Sequence, residues 1–174
     1  LEIEAWIVVE KVAREFSFSR FGEESLSEEM FVEAFNETIP PGLRLMKARM
    51  VSAAAERGEV VVSYDLDDRF VNVAGFVSGG YLAQVLDQVG TAAASLVSGK
   101  AAPTIEFKTS FLRPARPGLL VATGTAVHVG KSIAFTEAVV VDSKDRLLAT
   151  ATVTSQLISA AELVRKNRGT EVQC

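Results

Sequence analysis

The sequence predicts an α+β domain in which a single antiparallel sheet curls round one long helix. Three observations carry this expectation. Residues 81–97 spread Leu82, Val85, Leu86, Val89, Leu96 and Val97 round the whole helical wheel, with alanines between them, the composition of a helix buried on nearly all sides. On both sides of that stretch the apolar period changes to two, with two strand-like runs before it and four after it. The later runs are separated by short turns with no room for helices between them, which argues for an antiparallel meander and against a βαβ layout.

Taken in order, Ser27-Glu28-Glu29-Met30 has a capping residue followed by acids, and Met30, Phe31, Ala34 and Phe35 share one face. This predicts a short amphipathic helix over 27–38, ended by Pro40-Pro41-Gly42. Upstream, residues 6–12 suit a helix, and the Ser/Phe alternation after it has no assignment. Strands are expected at 43–52 and 59–66, with the turn Glu56-Arg57-Gly58 between them and Asp67-Asp68-Arg69 closing the pair. After Gly99 come strands at 104–112, 119–129, 132–142 and 146–157. In the first of these Ile105, Phe107, Thr109 and Phe111 alternate with Glu106, Lys108 and Ser110. The turns are residues 113–118, Gly130-Lys131 and Ser143-Lys144-Asp145. The chain divides into an acidic helical extension (1–42), the sheet-and-helix domain (43–160) and a polar tail (161–174).

With 174 residues, 48% hydrophobic and 23% charged, the chain suits one ordered domain. The net charge of −4 is uneven: residues 1–40 hold ten Glu against Lys11, Arg14 and Arg20, or −7, leaving +3 for the rest. A mildly basic main domain suits a small anionic ligand and is too weak and scattered for nucleic acid. The apolar stretch 73–99 approaches membrane length but contains Asp87, two Gln and several Gly, which argues against a span. The first residues lack a basic export signal, and Cys174, the single cysteine, cannot form an intrachain disulfide. A cytoplasmic location is expected.

Several chemistries are discounted. Gly124 to Ser132 resembles a phosphate loop but has five residues between its glycines where that loop has four, and it joins two strands. A Ser78 triad would need His128, which precedes Asp142 and Asp145 against the usual hydrolase order, and Gly is missing two residues before Ser78. One His, one terminal Cys and dispersed carboxylates offer no zinc spacing. What remains is Asn72, Gly75, Ser78-Gly79-Gly80 and Asp87. Glycines at the first turn of a buried helix leave backbone N–H groups bare, a site for a developing oxyanion. Tyr81 and the six aliphatics stabilise a core by roughly 10–20 kcal/mol gross, and an ionised Asp among them would cost several kcal/mol unless partnered. The alternative places Asp87 on a wet stripe with Gln84, Gln88 and Thr91. Gly79 and Asp87 lie eight residues apart, roughly 12 Å along a helix. One carbonyl cannot readily touch both on one chain, whereas two such helices packed antiparallel in a homodimer would bring the Asp87 of one to the glycine turn of the other.

From Tyr64 to Leu157 the chain resembles the hot-dog-fold acyl-CoA thioesterases, in particular the phenylacetic-acid-degradation (PaaI-like) type. The resemblance covers Asn72-x-x-Gly75-x-x-x-Gly79-Gly80, Asp87, Phe111-Leu112-Arg113-Pro114-Ala115, Gly118 and Val127-His128-Val129-Gly130-Lys131. It implies an antiparallel sheet of five to six strands wrapped round the helix, a homodimer or homotetramer, and an acyl-CoA site between subunits. It assigns Asp87 as nucleophile or general base and Gly79 as oxyanion donor. Asn72 would hold the carbonyl or the water, and Thr104 would be a hydroxyl that orients the water or the carboxylate. Ser78, Gly80 and Gln88, which flank these positions, are expected to bind substrate, and Arg113, Arg116 and Lys131 are candidates for the phosphates of coenzyme A or, equally, solvated turn charges. No metal and no cofactor beyond the coenzyme A of the substrate is implied. The family usually has His where this chain has Ser78; a hydroxyl can cap the helix but supplies no imidazole donor. Two other readings stand beside hydrolysis: a non-catalytic acyl-CoA-binding or regulatory hot-dog domain, and an enoyl-CoA hydratase or dehydratase.

Overall fold

Ser27 starts the first helix: its hydroxyl accepts from the Met30 amide, and Glu28 and Glu29 sit where the helix dipole favours acids. Helix α1 (Glu28–Glu37) buries Phe31 and Phe35 and ends where both the amide and the hydroxyl of Thr38 donate to Ala34 O. The computed structural model describes residues 27–159 and Glu162, so the helix expected near 6–12 and the rest of the tail fall outside it.

The strand expected at 43–52 is corrected. Proline at the first helical position lacks only an N–H that would be unbonded anyway; Pro41 accordingly opens a second short helix, α2 (Pro41–Leu45). A left-handed residue, Lys47, then turns the chain into β1 (Arg49–Ala54). Strand β2 (Glu59–Leu66) alternates perfectly, burying Val60, Val62, Tyr64 and Leu66. A 3₁₀ turn (Asp68–Phe70) leads to helix α3 (Gly79–Ser98), closed by Gly99 in the left-handed conformation. Strands β3 (Thr104–Phe111), β4 (Gly118–Val129), β5 (Ile133–Asp142) and β6 (Leu147–Gln156) complete the domain.

The six strands form one antiparallel sheet in the order β1-β2-β4-β5-β6-β3. The meander is therefore limited to β4, β5 and β6. Strand β3 is not the hairpin partner of β4; it pairs with β6 at the far edge, and residues 112–117 cross back to the centre. A strand carrying both inner and outer side chains can fill either place, and β2 already occupies the flank of β4 that a β3–β4 hairpin would need.

The sheet wraps α3 closely. A Cβ at Gly124 would collide with the Val89 carbonyl, and one at Gly90 would lie 2.8 Å from a Val153 methyl and 2.9 Å from Thr136 Oγ1. Glycine at 124 lets helix backbone rest on strand backbone, and glycine at 90 leaves room for the Val153 and Thr136 side chains. Leu82, Val85, Leu86 and Val89 are buried, worth about 6–12 kcal/mol gross. The helix is not buried on nearly all sides, as its composition suggested: Gly80, Tyr81 and Gln84 are exposed, and Asp87, Gln88, Thr91 and Ser95 are half-buried along one stripe. Among the described residues no helix is long and apolar enough to cross a membrane.

Candidate active site

Asp87 lies on the open stripe of α3, but it is not simply solvated. Thr104, the first residue of β3, donates its hydroxyl to Asp87 Oδ1 at 2.7 Å. Oδ2 has no hydrogen-bond partner among the described residues, so one carboxylate oxygen is held and the other is available. The pairing depends on an irregularity invisible to a period-two reading. Between Thr104↔Ser155 and Glu106↔Thr154 the register slips by one, making Ile105 an extra, bulged residue. In a regular strand Thr104 would share the outer face with Glu106 and Lys108. The bulge instead puts it on the helix-facing side with Phe107, Thr109 and Phe111, which corrects the alternation expected for Ile105.

The glycine turn is built by Asn72. Its amide donates to Phe76 O at 2.7 Å, its carbonyl accepts from Gly75 N at 2.9 Å, and its side-chain Oδ1 accepts from the Ala74 and Phe76 amides. Gly75 has φ +76°, where a side chain would be strained. Asn72 Oδ1 is thus engaged in shaping the loop, and its side-chain NH₂ is what remains for a ligand. Ser78 takes the N-cap position, but its hydroxyl makes no capping bond, a correction to the role its residue type suggested. The Ser78 carbonyl accepts from Tyr81 and Leu82, and the Gly79 and Gly80 amides have no acceptor among the described residues. They are the bare donors of the helix start. Over Gly79 lies the Phe111 ring, which a Cβ at 79 would meet at 3.1 Å. No local sequence signal marks this contact, because only the crossing of β3 to the sheet edge brings Phe111 there. Tyr81 stacks edge-on with Phe70 beside the turn, 5.0 Å between centroids.

The fold brings Asp87 and Thr104 together, with Gln88 next to Asp87 on the helix, and separately gathers Asn72, Ser78, Gly79 and Gly80. The two groups stay about two helical turns apart on one chain. Arg113 and Arg116 belong to the glycine-turn end. The Ala115 carbonyl accepts from Val77 N at 2.9 Å, the Arg116 guanidinium lies 5.4 Å over the Phe76 ring, and Arg113 donates to Leu147 O at 2.7 Å. Lys131 lies at the opposite end of α3, where its carbonyl accepts from Lys100 Nζ at 2.9 Å. The three cations therefore do not converge on one chain.

Residues 74–149 match the family described as "Thioesterase superfamily". A phenylacetic acid degradation-related protein of Ralstonia eutropha is 28% identical over 73% of this chain and 98% of its own, with a TM-score of 0.66. A Streptococcus mutans protein bound to acetyl CoA is 25% identical over 63% of this chain and 87% of its own, with a TM-score of 0.58. The Escherichia coli PaaI protein shares the fold, at 22% identity over 71% of this chain and 88% of its own and a TM-score of 0.65. No curated protein matches the chain. The thioesterase resemblance and the hot-dog fold read from the sequence both hold, with six strands.

Proposed function

We propose that this chain hydrolyses acyl-CoA thioesters, with Asp87 as the catalytic carboxylate and the Gly79 amide as oxyanion donor. The observation that carries the reading is the Thr104–Asp87 hydrogen bond, which holds one carboxylate oxygen and leaves the other free beside an open stripe of a thioesterase-superfamily helix. The acetyl CoA bound by the Streptococcus mutans neighbour supports a coenzyme A thioester as the substrate class. In one route Asp87 Oδ2 takes a proton from water as the water oxygen bonds to the carbonyl carbon. The oxyanion forms against the Gly79 amide and collapses, and the C–S bond breaks to release the thiolate, which regains the proton. In the other, Oδ2 attacks the carbonyl itself, thiolate leaves, and water adds to the Asp87 carbonyl carbon of the resulting anhydride, releasing the product acid. A single turnover in ¹⁸O-water separates them: label in the product acid marks the first, label in Asp87 the second.

The active unit in this reading is a cytoplasmic homo-oligomer, with sites between antiparallel α3 helices of two subunits. The separation of Asp87 from the bare amides supports it, and so does the two-ended placement of the cations. An antiparallel pair would bring one subunit's Lys131 end toward the other's Arg113 and Arg116, where coenzyme A phosphates could be held.

Asp87→Asn tests the assignment. It is expected to lower kcat by about 10² to 10⁴, the range of a positioned general base, with KM nearly unchanged. Near wild-type turnover would remove Asp87 from the mechanism. Absence of thiol release from a panel of short, long and aromatic acyl-CoAs, with retained binding, would favour the acyl-CoA-binding reading. Hydration of an enoyl-CoA, seen as loss of absorbance, would favour the hydratase.

A further inference from the structure

The inner row of β6 reads Ala149, Ala151, Val153, Ser155: three apolar side chains and then a hydroxyl. Ser155 is fully buried, and its Oγ has no hydrogen-bond partner. Buried hydroxyls are nearly always paired, so this one needs an explanation. Its partner across the ladder is Thr104. Residues directly opposite in an antiparallel pair share a face and carry Cβ atoms about 4.5–5.5 Å apart, so two hydroxyls turned toward each other come within bonding distance. Thr104 gives its one proton to Asp87 Oδ1 and keeps lone pairs that can accept.

We propose that Ser155 is a positioning residue: turned about its Cα–Cβ bond, its hydroxyl donates to Thr104 Oγ1, which donates to Asp87 Oδ1. The inference rests on Asp87 being the catalytic carboxylate. Thr104 begins an exposed edge strand beside a bulge, and its side chain has no anchor other than Asp87 among the described residues. A buried donor on the neighbouring strand fixes its rotamer and polarises its O–H toward the carboxylate. The chain of hydroxyls thus runs from the rigid core to the reacting group and aims Oδ2. The other buried unpaired hydroxyls have no such place: Thr136 faces Gly90 and is paired in register with Ala126 and Val153, and Tyr64 faces the apolar core from β2.

The test is a double-mutant cycle of Ser155→Ala with Thr104→Val, read by kcat, KM and Tm, with Ser155→Cys as a near-isosteric variant whose thiol donates poorly. Ser155→Ala and Ser155→Cys are each expected to lower kcat about two- to tenfold, the size of one neutral hydrogen bond, with KM unchanged. In the Thr104→Val background neither should lower kcat further. Ser155→Ala should lower Tm only where Thr104 is present, since elsewhere it removes an unpaired buried group. Wild-type kcat in the folded variants, or strictly additive effects, would overturn the inference. If the wild-type chain releases no thiol from any acyl-CoA, the thioesterase reading fails, and the Tm cycle alone decides whether Ser155 bonds Thr104.

Discussion

The two edges of the sheet are treated in opposite ways. At β1, Asn36 of α1 imitates a neighbouring strand: its Oδ1 accepts from Met50 N at 2.9 Å and its Nδ2 donates to Met50 O at 3.0 Å. Glu28 adds an acceptor for the Ala55 amide at 2.7 Å. Strand β3 has no neighbour beyond it among the described residues. Both edge strands slip register by one residue, β1 at Val51 and β3 at Ile105, but β3 also carries the Thr104 hydroxyl, and its Ile105 and Phe111 are more than half exposed. An open edge with apolar side chains invites another strand, and natural proteins usually blunt such edges. This chain blunts one edge and leaves open the one that bears its candidate chemistry.

The largest expected effect breaks the open edge. Val51 on β1 and Ile105 on β3 are equally exposed, at 59% each, which makes them a matched pair. If the proposed homo-oligomer joins at this edge, Ile105→Glu is expected to shift the protein toward monomer and, by dismantling the proposed composite sites, to lower kcat/KM by about 10² or more, the scale on which a catalytic group is lost. Val51→Glu should leave the oligomer and the activity unchanged and alter stability by about 0.5 kcal/mol or less, as most surface substitutions do. Light scattering with a thiol-release assay checks both, and equal effects at the two edges would end the comparison.

Of intermediate size is Asn36→Ala, which leaves the amide and carbonyl of Met50 without their partners. A loss of about 1–3 kcal/mol in unfolding free energy is expected, measured by urea denaturation, with kcat intact. A fall in kcat at constant stability would mean that the closed edge also serves the site.

The smallest effect belongs to the β5–β6 turn, which lies on neither edge strand. There the Arg146 side chain, hydrogen-bonded to Asp142, holds that carboxyl down at about 2, helped by the Lys144 and Arg146 amides. A carboxylate whose folded value is depressed stabilises the fold above its unfolded value and loses that contribution as pH falls through the folded one. The Tm difference between wild type and Asp142→Asn should therefore hold steady above about pH 5 and shrink toward pH 2. A difference that persists undiminished at pH 2 would assign the turn's stability to something other than this charge.

How much was legible follows from which interactions are local. Helix α3, its Asp87 and the glycine turn before it could be read directly, because helical spacing and glycine are local signals. The place of β3 could not, because hairpin logic favours the next strand and only the whole sheet shows that β2 has taken that position. The approach of Thr104 to Asp87 came from family resemblance, since a one-residue bulge erases the alternation that would otherwise place it on the far face. Pro41 signals the end of one helix and, equally, permits the start of another, so sequence alone does not show the helix it opens. Ser155 left a trace, a hydroxyl in an apolar row, but its meaning depends on which strand lies opposite. The open stripe of α3 was underestimated because alanine and valine suit a helix packed against one sheet as well as a helix packed all round.

The central claim, that Asp87 of one subunit works with the Gly79 amide of another, is tested most directly by mixing two inactive proteins. Asp87→Asn removes the carboxylate. Gly79→Pro removes the donor at a helix position that tolerates proline, with the half-exposed Phe111 ring having to give way. After subunit exchange, half of the dimers in an equal mixture are mixed, and each holds one intact composite site, so about a quarter of wild-type activity should return. No recovery, with exchange demonstrated by mass spectrometry, would place the whole site within a single chain and contradict the account.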